Sequence, residues 1–221
     1  MYIFYPSCNF QKRFPETAAV IREYMQKQKD VRIAGCCQKT FDLPKEGDII
    51  ITVCNSCMHL LNELCPGIPQ ISLYEFMLGR TDFVWPDYKN TEMTIQDCFR
   101  ARGMHALQDA VRTCAQKMHI QYVEMKDNRD GEMYDGSFLL HEPYPQNMRD
   151  APKYFAEYLP PYTTPMPKEQ WPEVYRKQAE KYTTEAVLGY CNTCCASLKE
   201  VGVQVYHLAE LIFGTVPLER R

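Results

Sequence analysis

The chain has 221 residues, a net charge of −3, 45% hydrophobic residues and 11 cysteines. A near-neutral charge without a basic run argues against nucleic-acid or membrane-surface binding, and the lack of any run of 18 apolar residues argues against a membrane span. An odd cysteine count, behind an N-terminus (MYIFYPSCNFQKRF) that does not read as a signal peptide, points away from a secreted disulfide scaffold. It predicts a reduced, cytoplasmic setting with metal or redox chemistry on the thiols.

In chain order, MYIFY (2–5) reads as a strand and Pro6-Ser7-Cys8 as its turn into a helix. Residues 15–28 place Ala18, Ile21, Tyr24 and Met25 at helical spacing behind Pro15. VRIA (31–34) is a second strand ending at Gly35-Cys36-Cys37, followed by a polar loop over 38–47. DIIITV (48–53) is a third strand closed by Cys54. The helix after it turns Leu60, Leu61 and Leu64 inward and stops at Pro66-Gly67. IPQISL and YEFMLG form a strand and a short helix ended by Gly79. Residues 80–92, with Trp85 and Pro86, are a linker.

The pattern then begins again. MTIQ (93–96) is a strand followed by Cys98, and residues 102–118 carry Met104, Leu107, Val111, Cys114 and Met118 on one helical face. IQYVEM (120–125) and EAVLGY (185–190) are strands, the latter leading into Cys191, Cys194 and Cys195. VQVYHLAELIFG (203–214) repeats the character of PQISLYEFMLG (69–79). Tyr134-Asp135-Gly136 stands where the second copy is expected to carry a cysteine pair. Residues 137–184 are an insertion, and 8 of the 15 tyrosines and 8 of the 15 prolines lie between 134 and 190. A connection of that length predicts a functional lid, a partner surface or an extra packed helix in KEQWPEVYRKQAEKY.

The expected fold is therefore α/β, with two pseudo-repeated Rossmann-like halves at 1–80 and 93–221. Each is a small, mostly parallel sheet flanked by helices. Ligands of such sheets sit beyond the carboxyl ends of the strands, where Cys8, Cys36, Cys37 and Cys54 all fall. These four with Cys57 are candidate metal or cluster ligands, because adjacent thiolates suit a multi-iron centre better than one zinc ion. Cys98, Cys191 and Cys194 are candidates for a second site, with Cys195 as the expected fourth ligand of a zinc ion or a possible catalytic thiol. The competing accounts are packed free thiols and thioredoxin-like dithiols. Cys65 and Cys114 read as structural. His59 and His207 read as surface or capped residues rather than ligands, and Asp135 as a turn residue with a lesser claim as an oxygen ligand or general acid. No nucleotide-binding glycine loop occurs.

The pattern C…GCC…C-x-x-C, repeated as C…C-x-x-C, resembles the cysteine-rich CCG domain family, which includes a component of heterodisulfide reductase. The resemblance covers nearly the whole chain. It implies a [4Fe-4S] cluster, possibly non-cubane, on Cys8, Cys36, Cys37, Cys54 and Cys57. It further implies zinc or a second cluster on the second cysteine set. The implied function is that of an iron–sulfur thiol/disulfide reductase or electron-transfer subunit. Its partners would be an electron-donor protein or redox complex, with a small thiol or disulfide as substrate. The alternative is a non-catalytic zinc- or cluster-stabilised module docked on a larger redox complex.

Overall fold

In a computed structural model, residues 1–37, 43–216 and 218 of the chain are described. Residues 38–42 of the expected polar loop lie outside them. The first half contains β1 (Tyr2–Tyr5), α1 (Cys8–Arg13), α2 (Pro15–Lys27), β2 (Val31–Ile33), β3 (Ile49–Thr52), α3 (Asn55–Leu64), β4 (Gln70–Ser72) and α4 (Leu73–Leu78). Its strands form a four-stranded sheet in the order β2-β1-β3-β4, every pair parallel.

The second half has the same order, β6-β5-β7-β8, again all parallel. Its strands are β5 (Glu92–Gln96), β6 (Gln121–Glu124), β7 (Ala186–Gly189) and β8 (Gln204–His207). Helices α5 (His105–Lys117), α8 (Asn192–Glu200) and α9 (Leu208–Ile212) flank them. The protein is thus an α/β fold of two parallel sheets, and the central strands β1, β3, β5 and β7 carry the apolar runs. Ile3, Phe4, Ile50, Ile51, Ile95, Val187 and Leu188 are all buried, as strands covered on both faces require.

Local chemistry fixes where each strand hands over to its helix. Ser7, with a positive φ of 58°, caps α1 by accepting a hydrogen bond from the Phe10 N–H. Ser72 and Glu75 form a reciprocal capping box at the start of α4. His207 and Glu210 take the equivalent places at α9. The repeat therefore extends to the cap positions.

The insertion is neither an open loop nor a detached one. It folds into short helical turns, including α6 (Pro145–Asp150), a π-helical turn at Lys153–Tyr158 and α7 (Trp171–Ala179). It crosses onto the first half, where Ala151, Phe155 and Leu159 are buried in the same apolar cluster as Leu60 and Leu61 of α3. The Glu63 carboxylate at the end of α3 accepts hydrogen bonds from the Lys153 and Tyr154 N–H groups, at 3.0 and 2.8 Å. His59 stacks on Tyr154 with ring centroids 3.4 Å apart. No helix of the described residues is long and apolar enough to cross a membrane.

Candidate metal centre

The carboxyl ends of the two sheets face one another, and the cysteines gather there. Cys8 opens α1, Cys36 and Cys37 follow β2, and Cys54 and Cys57 sit at the start of α3. A cavity of about 280 Å³ lies between the halves and is lined by all five. Two larger hollows, of about 620 and 680 Å³, contain no cysteine. Within the cavity wall the thiols lie in pairs, with Cys8 Sγ 3.1 Å from Cys36 Sγ and Cys37 Sγ 3.3 Å from Cys57 Sγ.

The buried Cys57 thiol is the shared donor of this wall. Its hydrogen bond holds Cys54 down to about 6, against the cost of burial and with help from the nearby Arg100 charge. The same donor lowers Cys37. Cys57 itself is pushed well up by serving these two neighbours. Burial pushes the outermost thiol, Cys8, to about 11. Cys54 and Cys37 are therefore biased toward the thiolate form, and thiolates are what soft metals and electrophiles select.

The second half builds a tighter arrangement. One ligand atom each from Cys98, Asp135, Cys191 and Cys194 lies within 4.8 Å of the other three, and all four residues are buried. Among the described residues no other group of three or more Cys, His, Asp or Glu is gathered this closely. Asp135 is central. Its Oδ1 is 3.3 Å from Cys98 Sγ, 3.5 Å from Cys191 Sγ and 3.9 Å from Cys194 Sγ. Burial raises its carboxyl to about 7 despite the Arg100 charge beside it. Burial likewise raises Cys98 and Cys194. Burial also disfavours the Cys191 thiolate, but hydrogen bonds from Cys194 and Cys98 and the charge of Arg100 outweigh it, so Cys191 falls well below the usual thiol range.

Arg100, on the turn after Cys98, joins the two sites. Its Nη1 donates to Ser56 Oγ and its Nη2 to Thr193 Oγ1. These hydroxyls occupy the same place in two matching segments, Cys54-Asn55-Ser56-Cys57 and Cys191-Asn192-Thr193-Cys194. One guanidinium thus bridges the C-N-x-C turns of both halves, and its carbon lies 3.9 Å from the Phe138 ring centroid.

Several expected site residues take other places. Cys195 does not complete the second site. It is fully buried one step along α8, in van der Waals range of Gly189 on β7, where an added Cβ would come within 2.6 Å of its Sγ. Asp135, which the sequence reads first as a turn residue and second as an oxygen ligand, is the fourth residue gathered with Cys98, Cys191 and Cys194. Cys65 and Cys114, which read as structural in the sequence, are both buried. His59 bonds the Arg100 carbonyl at 2.8 Å, and burial lowers its pKa to about 4. His207 is fully buried and caps α9. Arg100 had no signal in the periodicity, because a single charged residue after a strand reads as surface.

No family model and no curated protein matches this chain. Similar solved structures include aspartate racemase of Picrophilus torridus, at 11% identity and a TM-score of 0.32 over 97% of this chain and 91% of that one. Glutamate racemase of Bacillus anthracis is 10% identical, with a TM-score of 0.39 over 97% and 78% of the two chains. Allantoin racemase of Klebsiella pneumoniae is 10% identical, with a TM-score of 0.32 over 97% and 84%. At these values the likeness carries no argument about activity. The expected membership of the CCG domain family is corrected: no family model and no curated member of that family matches the chain. The heterodisulfide reductase-like iron–sulfur redox function, with its redox-complex alternative, is corrected with it.

Proposed function

We propose that this protein is a thiolate metal-binding protein. In this reading Cys98, Asp135, Cys191 and Cys194 hold a zinc-like divalent ion in the second half. The cysteine-lined cavity of the first half is a second, more open metal-binding surface. The observation that carries the reading is the buried convergence of three thiols and one carboxylate oxygen within 4.8 Å. Three sulfurs and one oxygen make a complete tetrahedral set of the kind that closed zinc sites use.

The surroundings support it. Three ionised thiols and a carboxylate around a divalent ion leave excess negative charge, and Arg100 lies against two of these ligands to offset part of it. Burial among the thiols raises the Asp135 carboxyl to about 7 even with Arg100 paired to it, and a bound divalent ion would favour its charged form. In the first half, Cys8, Cys36, Cys37, Cys54 and Cys57 supply thiolates on an accessible wall, two of them already lowered. Free thiols in this number suit a reducing, cytoplasmic compartment.

Purification under reducing, oxygen-free conditions followed by elemental analysis tests the proposal, with zinc and iron counted separately. The expected result is at least one tightly held equivalent of metal, with one equivalent lost in Cys98→Ser or Cys194→Ser. Protein that is folded, reduced and free of stoichiometric metal would overturn the reading.

A further inference from the structure

The inter-half cavity has chemistry that the metal reading leaves unused. Arg13 and Arg100 both line it, and among the described residues its wall includes no aspartate or glutamate. Arg100 is anchored from behind by Asp135, which is not part of the wall. Arg13 differs. Its Nε donates to Asn9 Oδ1 at 3.0 Å, within α1, and among the described residues it forms no ion pair. Its terminal nitrogens are therefore free for a ligand.

Other groups have the same sense. Ser7, Ser56 and Ser137 place hydroxyl groups on the wall. Helix α3, of 10 residues, begins there with Cys54 as its N-cap, so the positive end of its dipole faces the space. An exposed guanidinium without a carboxylate partner, at the edge of a concave pocket with no acidic residue among the described ones, matches the recognition of planar anions by arginine.

We infer that the cavity between the halves binds a small carboxylate-bearing molecule, with Arg13 as the anchoring cation and the cysteine wall facing the remainder of the ligand. A space of about 280 Å³ lies at the lower end of small-molecule sites, so the ligand is a compact mono- or dicarboxylate. This site does not depend on which metal, if any, the cysteines hold.

Isothermal titration calorimetry on the full-length protein, at measured metal content, tests the inference. The probes are acetate, malonate, succinate and citrate, with neutral succinamide as control. The expected result is saturable binding of at least one carboxylate, weakened by added salt and absent for succinamide. Arg13→Gln, on an exposed helix position, is expected to keep its metal content and melting temperature while losing at least tenfold in affinity. Absence of saturable binding for all four carboxylates would overturn the inference. So would equal binding of succinamide, or an unchanged affinity in Arg13→Gln. Metal content measured on the same samples separates failure of this site from failure of the metal reading.

Discussion

Arg100 grips Asp135 with two parallel hydrogen bonds, Nε to Oδ2 and Nη2 to Oδ1, each 2.7 Å. Both side chains are almost completely buried, at 4% and 0% exposure. A bidentate guanidinium–carboxylate pair is the strongest geometry such a pair can take. Here it also connects Asp135, a proposed ligand of the second-half site, to Ser56 at the start of α3 in the first half.

Removing one partner of a buried pair strands the other. Arg100→Met leaves Asp135 without its counter-charge and is expected to cost about 3–5 kcal/mol in unfolding free energy. Arg100→Lys keeps the charge without the two-pronged geometry and is expected to fall between. The double variant Arg100→Met with Asp135→Asn is expected to recover part of the loss, because the stranded carboxylate is removed. Denaturant unfolding of the unaltered protein, Arg100→Met, Asp135→Asn and the double variant closes this cycle. Strict additivity of the two single changes would show that the pair is not coupled.

The fourth metal ligand is tested by comparing Asp135→Asn with Cys195→Ser. Asn keeps the shape of Asp but offers a neutral oxygen, so metal affinity is expected to fall by tenfold or more, a loss typical of weakened coordination. Cys195→Ser removes a thiol that faces β7 and is expected to leave metal content unchanged. Competition with a chromophoric chelator reads both affinities. The opposite ranking would restore Cys195 to the site.

Much of this arrangement was legible in the residues. Short β-branched runs alternating with helical periodicity predicted both parallel sheets, and the strand-end positions of Cys8, Cys36, Cys37 and Cys54 predicted that these four converge. The central strands lie within a residue or two of their expected bounds because burial on both faces forces a continuous apolar run. Asp135 was visible as the residue standing where a cysteine pair was expected, yet Asp-Gly reads first as a turn. Its role depends on Cys98, Cys191 and Cys194, which are distant in sequence and meet only through the β5–β7 pairing. Arg100 was not legible at all, because its partners come from both halves. The insertion was legible in length and composition, but its docking on α3 rests on Glu63 accepting from two backbone N–H groups, which no pattern encodes.

His207 gives a dependence of stability on pH. The ring is fully buried, packed against Phe10 and Phe14 with centroids 5.1 and 4.8 Å away. Its Nδ1 accepts from the Ala209 N–H at 3.2 Å. Burial lowers its pKa from 6.5 to about 3. A base with a depressed folded pKa binds its proton more readily in the unfolded chain. Its contribution is therefore complete above pH 6.5 and is lost as the pH falls toward 3, at up to about 1.4 kcal/mol per pH unit. His207→Asn keeps a capping side chain but does not titrate. It is expected to be less stable at pH 7, with a shallower decline on acidification. Melting curves from about pH 7.5 to 4.5 measure the difference, and parallel declines for the two proteins would assign the acid sensitivity elsewhere.

Gly136 follows the Asp135 ligand directly, and its backbone explains why no larger residue suits the position. Its φ is +57°, in the left-handed region that residues with a Cβ enter only at a cost. A Cβ there would also lie 2.4 Å from the Thr193 carbonyl oxygen and 2.6 Å from its carbon. These are backbone atoms in the first turn of α8, between Cys191 and Cys194, so they cannot move aside without shifting two thiol ligands. Gly136→Ala is therefore expected to cost more than the roughly 1–3 kcal/mol of a strained dihedral alone, and to lower metal content together with the melting temperature. Gly202 is the matched control. Its φ is +83°, but a Cβ there would meet nothing within 4 Å. Gly202→Ala is expected to cost only about 1 kcal/mol and to leave the metal in place. If both alanine variants lose stability equally and keep their metal, the contact of Gly136 with Thr193 does not hold the site, and the second-half ligands are positioned by the sheet alone.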